Sequence, residues 1–304
     1  APGRSWRRHV SCPESLAAPY SPGGVVVRRR ICPAGRIVSW CPGTASDTAA
    51  LRFVALPAEH GGWSLTLEPV VLGLLVTPSL AGAALGGVAL LGFLARTPLK
   101  VYFVDRYRGR HLPRTRLAGR VGAVEVVLLV GLLVAATAMG SARFWIPLLV
   151  AAPLIAVEVW FDVRSRSRRL IPELAGTVGV ASMAAAIPLA GGDTALVAAG
   201  LWCVAAARAD ATIPFVRLQL RRAKDQAHNQ RTSDAAQAVA VGATAVGWAL
   251  DAVPLAGLVA IAGLAAVHTW LAHRPPPATQ VLGAQEVVLG LTVVLATALG
   301  ALAP

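Results

Sequence analysis

Charge is scarce in this 304-residue chain: Asp, Glu, Lys and Arg together make up 14% of it, against about 25% in an ordinary soluble domain. With 56% hydrophobic residues and a mean hydropathy of +0.62, that scarcity excludes a soluble globular fold. Acids are the rarer sign, 15 against 28 Lys and Arg, and lysine occurs only at Lys100 and Lys224. Cysteine is also sparse. Cys12, Cys32, Cys41 and Cys203 show neither zinc-ligand spacing nor a disulfide framework. Walker, Rossmann, HExxH and GxSxG motifs are missing, so the common soluble-enzyme chemistries have no foothold. The first arginines are not followed by an apolar core of the secretory kind.

What is present is a series of apolar runs. Residues 61–95 carry one charge, Glu68, and as a single helix would be about 52 Å long, well beyond a ~30 Å hydrocarbon core. Pro78 and Ser79 therefore mark a hairpin. Further spans read as 118–139, 144–161, 171–190, 194–215, 235–250, 252–272 and 283–303, giving nine helices in an all-α transmembrane bundle. Residues 1–50 read as a disordered, basic arm, and an upstream extension of the reading frame is the expected reason for it. The transmembrane domain occupies 51–304.

The net charge of +13 then acquires a topological meaning. Of the 28 basic residues, 27 fall before residue 53, in 96–120, 164–169 and 208–231, or at Arg274. In a nine-helix chain these segments share one side, and only Arg143 lies opposite. That is a positive-inside pattern, with the N-terminus cytoplasmic and the C-terminus outside, in a bacterial inner membrane. It assigns the charge to topology and anionic lipid, and excludes nucleic acid as a partner. Trp63, Trp145, Trp160, Trp202, Trp248 and Trp270 are expected as interfacial anchors.

Acids in or beside membrane helices need a partner, a wet cavity or a function. Four segments gather them with arginine. Pro57-Ala-Glu59-His60-Gly61-Gly62-Trp63 stands where the chain enters the first span, and Glu59 and His60 are candidates for ligand binding or proton transfer. In the second segment, Lys100, Arg106, Arg108, Arg110, Arg114 and Arg116 surround Asp105 and suit a phosphate or diphosphate. Glu158 and Asp162, four apart, share a helix face, where they can hold a divalent metal or pair with Arg164 and Arg168. In the fourth, Arg208, Asp210, Arg217 and Arg221 approach the end of the sixth span around Pro214. Glu68, before Pro69, is the deepest acid, and an Arg or His on a neighbouring span is its expected partner.

The Glu59-His60-Gly61-Gly62-Trp63 signature and the apolar run after it resemble the YwiC-like family of bacterial membrane proteins. The nine-helix plan, with basic loops after spans two, four and six, resembles the UbiA superfamily of intramembrane prenyltransferases. That resemblance implies Asp-rich motifs after spans two and six that hold Mg²⁺ on a prenyl diphosphate. Aligned on Arg114-Thr115, Asp105 takes the middle aspartate, while Val101-Tyr102 and Gly109 replace the others. After span six the acidic i, i+4 pair becomes Arg217 and Arg221. The expectation is a cytoplasm-facing cavity for an anionic, lipid-like or diphosphate ligand, with arginine in place of metal and membrane lipids as its surroundings. The alternatives are a UbiA-type prenyltransferase with Mg²⁺ on Asp105, Asp162 and Asp210, a transporter working through Glu68 and Glu125, and a scaffold without small-molecule chemistry.

Overall fold

A computed structural model describes residues 60–110, 112–166 and 169–303. The expected arm, together with Glu59, lies outside them. The described residues form nine helices and no strand: α1 (His60–Val76), α2 (Leu80–Tyr107), α3 (Pro113–Met139), α4 (Trp145–Val163, entered by a 3₁₀ turn at Ala142–Phe144), α5 (Leu170–Ala190), α6 (Ala195–Arg222), α7 (Gln230–Ala249), α8 (Leu255–Ala272) and α9 (Thr279–Leu302). Seven are long and apolar enough to cross a membrane by length and composition alone. The described part of α1 is apolar but has 17 residues. The start of α7 holds Gln230, Arg231, Asp234 and Gln237, which lower its apolarity.

Local chemistry fixes the turns. Ser79, extended at φ −153°, accepts the Gly82 amide at 2.9 Å and so caps α2 where the hairpin was expected. Such a cap is worth about 1 kcal/mol. Ser79→Ala should lower stability by that amount, measured by denaturant titration in mixed micelles. Thr194 and Asn229 cap α6 and α7 in the same way. Pro113 opens α3, where its missing N–H is no loss.

Helix α5 is broken at Ser182 into Leu170–Ala181 and Met183–Ala190. The Trp202 indole on α6 donates to the Val178 carbonyl beside the break, at 3.0 Å. Trp202 is thus an internal prop of a bent helix, not the interfacial anchor expected of it. The second piece of α5 is buried from Ala184 through Ala190 and forms the centre of the largest core cluster, against α1, α2 and α6. Small residues allow this approach. A Cβ at Gly73 or Gly82 would come within 2.9 or 2.8 Å of the Ile187 side chain.

Helices α3 and α4 lie at the periphery. Val124, Val127, Leu128 and Val134 on α3, and Ile146, Leu149, Val150 and Val159 on α4, are exposed. Water would not tolerate so large an apolar surface, whereas a hydrocarbon core covers it at no cost. Sequential helices pack as neighbours except α3 and α4, where α4 packs instead on α2 and α5, and α9 returns to pack on α1. Loops α2–α3, α4–α5, α6–α7 and α8–α9 therefore share one end of the bundle. That end carries the arginines.

Candidate functional site

Asp105 occupies the last turn of α2 and is 3% exposed. Arg114, on the first turn of α3, forks onto it with Nη2 3.0 Å from Oδ1 and Nε 3.2 Å from Oδ2. Thr115 donates its hydroxyl to Oδ2 at 2.7 Å and accepts the Leu112 amide at 3.3 Å. The carboxylate also sits at the positive end of α3. Sequence reasoning grouped Asp105 with Arg114 as ligand contacts. The structure uses each to fasten the other, and with Thr115 they lock the α2–α3 turn.

Glu158 and Asp162 do share a face of α4, but their partners come from α2. Arg96 reaches both, at 2.8 Å to Glu158 and 2.9 Å to Asp162, and Lys100 approaches Asp162 at 3.2 Å. The expected partner Arg164 lies beyond the helix end and stacks on Trp160, 3.5 Å from the ring centre. Arg168 is outside the described residues. The Glu158 carboxylate is pressed against Gly176 of α5, where any Cβ would collide with it. One turn before Gly176, Glu173 pairs with Arg217 of α6 at 2.6 Å. A band of charge therefore crosses the bundle, with cations on α2 and α6 flanking acids on α4 and α5.

The beginning of α1 adjoins this band. Trp63 meets Phe93 edge to face at 5.0 Å, and a Cβ on Gly62 would lie 2.7 Å from the same ring. Phe93 is one turn from Arg96, so the Gly61-Gly62 segment reaches the stretch of α2 that serves Glu158 and Asp162. The glycines were expected to permit close approach, and at Gly62 the neighbour is a phenylalanine. His60 begins α1, and its side chain lies outside the described residues.

A second cluster is deeper. Arg208 sits in the middle of α6, 3% exposed, because the helix runs through Pro214 to Arg222 instead of ending near it. Its Nη1 donates to Glu286 Oε2 of α9 at 3.1 Å, and its Nη2 to the Glu286 carbonyl at 2.6 Å. Its Nε lies 3.4 Å from Glu68 Oε2 on α1. His268 of α8 joins through Nε2, 3.0 Å from Glu286 Oε1, with its ring stacked on Phe215 at 4.1 Å. The expectation that Glu68 meets an Arg or His from another span holds. Glu286 and His268 were not singled out, since each is an isolated titratable residue in a largely apolar run, with no oppositely charged neighbour to mark it.

The remaining candidates stand apart. Arg106 is exposed and folds back on Tyr102 of its own helix, with its guanidinium 5.6 Å from the ring centre. Arg221 donates to the Ala227 carbonyl at 3.3 Å, closing the α6–α7 turn, so the supposed Arg217–Arg221 face is divided between two jobs. Asp210 lies within α6 and is only partly exposed, and one of its carboxylate oxygens is buried without a hydrogen bond. Pro113, Arg116, Leu117 and Arg120 lie side by side on one face near the start of α3.

Mg²⁺ demands several oxygens at about 2.0–2.1 Å in octahedral array. Asp105 and Asp162 are each engaged by cations, and Asp210 lies on another helix, away from both. Among the described residues no group of three or more His, Cys, Asp or Glu is placed to hold a metal. The donor set does not fit the ion that the resemblance implied.

Residues 56–188 match the family model for YwiC-like protein. No curated protein sequence matches the chain. Among solved structures, that of a digeranylgeranylglyceryl phosphate synthase studied in membranes superposes with a TM-score of 0.53, covering 83% of this chain and 97% of its own, at 12% identity. At that identity the likeness is one of fold: the bundle is UbiA-like, in a multi-pass membrane protein.

Proposed function

We propose, from a YwiC-like segment carried on a UbiA-like fold, that this protein binds a phosphate-bearing amphiphile at the arginine-rich end of the bundle. Guanidinium supplies the countercharge there, in place of a metal ion. The observation that carries this reading is the state of Asp105. From 106 to 120 the chain has six arginines, at 106, 108, 110, 114, 116 and 120, and no acid. Arg114 answers Asp105, which leaves five more arginines in that stretch and no further acid. Arg116 and Arg120, four apart on α3, share one face of the helix with Pro113 and Leu117, an arrangement suited to an anionic head and the start of an acyl or prenyl chain. The arginine distribution further supports a cytoplasmic position for this end, with the C-terminus outside.

The test is binding of farnesyl diphosphate to the chain in lipid nanodiscs with EDTA present, followed by tryptophan fluorescence and native mass spectrometry. A parallel arm replaces the diphosphate with phosphatidic acid, to separate a soluble head group from a membrane lipid. Binding without divalent ions is expected. It should weaken about tenfold or more in the Arg116→Gln, Arg120→Gln double variant, since a charge-assisted hydrogen bond contributes roughly 1.5–3 kcal/mol. Binding that requires Mg²⁺ and disappears in Asp105→Asn would overturn the reading in favour of prenyl transfer. That alternative draws support from the synthase-like fold, but here its three aspartates sit in three separate settings.

A further inference from the structure

We infer that Glu68, Arg208, Glu286 and His268 form a proton-binding site in the membrane interior, with one exchangeable proton carried on Glu68.

Charge and geometry together lead there. The four side chains are buried, with Glu68 and Glu286 each 6% exposed, Arg208 3% and His268 0%. Two carboxylates, one guanidinium and a neutral imidazole sum to a net negative charge, which is costly to hold without water. One added proton makes the cluster neutral. The hydrogen bonds say where it resides. Glu286 is satisfied as a carboxylate, with Arg208 on one oxygen and His268 on the other. An imidazolium at His268 would present a charged Nδ1–H, yet that buried nitrogen has no hydrogen-bond partner. Neutral imidazole with its proton on Nε2 avoids the penalty and still donates to Glu286.

Glu68 is the under-satisfied member. Its Oε2 has only the Arg208 Nε at 3.4 Å, and that pair lacks hydrogen-bond alignment. Its Oε1 is buried without a hydrogen bond and borders a cavity of about 10 Å³ shared with Thr177, Ala181, Arg208 and Val294. That is room for about one water. The groups facing Glu68 are Arg208 from α6 and Glu286 from α9, with His268 of α8 behind Glu286. Among the described residues α2 and α5 bring no charged group to it. Gly290 of α9 lets the carboxyl lie against the helix backbone, a place that any Cβ would fill.

The cavity lies near the arginine-rich end of the bundle. Thr177 lies one turn from Glu173 on α5 and donates to its carbonyl at 2.8 Å. The Glu173 side chain, paired with Arg217, is 42% exposed at the arginine-rich end. A cavity water between Glu68 and Thr177 would give the buried carboxyl a hydrogen-bond partner about one turn from that end.

Infrared spectroscopy of the full chain in nanodiscs tests this directly. A protonated carboxyl band, shifted by deuterium oxide in the folded protein, is expected in wild type. In an Asp210→Asn, Glu125→Gln background, which removes the other carboxyls with a buried unpaired oxygen, it should be lost in Glu68→Gln and kept in Glu286→Gln. Because glutamine mimics the neutral acid, Glu68→Gln should melt within a degree or two of wild type, while Glu286→Gln should melt well below it. A band that persists in Glu68→Gln in that background, no band at neutral pH, or a band that ignores deuterium oxide would each overturn the inference. Should Glu286→Gln fail to fold, the Glu68→Gln spectrum decides alone.

Discussion

Replacing Arg208 by leucine is expected to cost about 3–5 kcal/mol of stability, the range for removing one partner of a buried ion pair. Arg208 is the single cation between Glu68 and Glu286 and ties α6 to both α1 and α9. Its Nη2 also satisfies the Glu286 main-chain carbonyl, so leucine leaves a backbone acceptor open as well as a carboxylate. The double variant Arg208→Leu, Glu286→Leu should recover part of the stability, because two apolar side chains in place of a buried pair often cost little. Unfolding in mixed micelles titrated with SDS checks both. Wild-type-like stability in Arg208→Leu would mean that the cluster does not join these helices.

Gly200→Ala is expected to cost about 3 kcal/mol, the upper end of what overpacking a packed interior costs. Where α6 passes the α7–α8 turn, a Cβ on Gly200 would collide with the carbonyl of Ala252. The obstacle is main chain, held by hydrogen bonds from Ala252 and Val253 to the Gly247 carbonyl at 2.9 and 3.1 Å. It cannot rotate away as a side chain would. At Gly290 the neighbour is instead the end of the Glu68 side chain, so Gly290→Ala should cost less than Gly200→Ala. The same micelle titration gives the order of the two.

How much of this was legible in the sequence depends on the range of the interaction. The hairpin at Pro78-Ser79 followed from length and charge, and the nine helices followed from apolar runs between basic loops, because a bilayer constrains every span in the same way. The deep pairing of Glu68 could be expected, since an acid in lipid must find a cation. Its partner's identity could not. Arg208 is 140 residues away in the chain, and the reading placed it near a helix end because Pro214 looked like a stop. Inside a packed bundle proline is tolerated, so α6 continues to Arg222 and Arg208 falls to mid-helix.

The arginine-rich end shows the same division. Spacing correctly put Glu158 and Asp162 on one face, since helical geometry is local. It named Arg164 as partner, because that residue is near in sequence. The structure supplies Arg96 and Lys100 from α2 instead, as α2 runs beside α4 while the chain after Val163 leaves the helix. By itself, then, the sequence determined that this protein lives in a membrane, how many helices its described residues form, and that most of their arginines collect at one end. Composition and periodicity carry those facts without reference to any particular contact. Only the tertiary structure decided which cation each paired acid meets, and that Glu68, beside Arg208, also borders a cavity, because long side chains choose partners by proximity across helices.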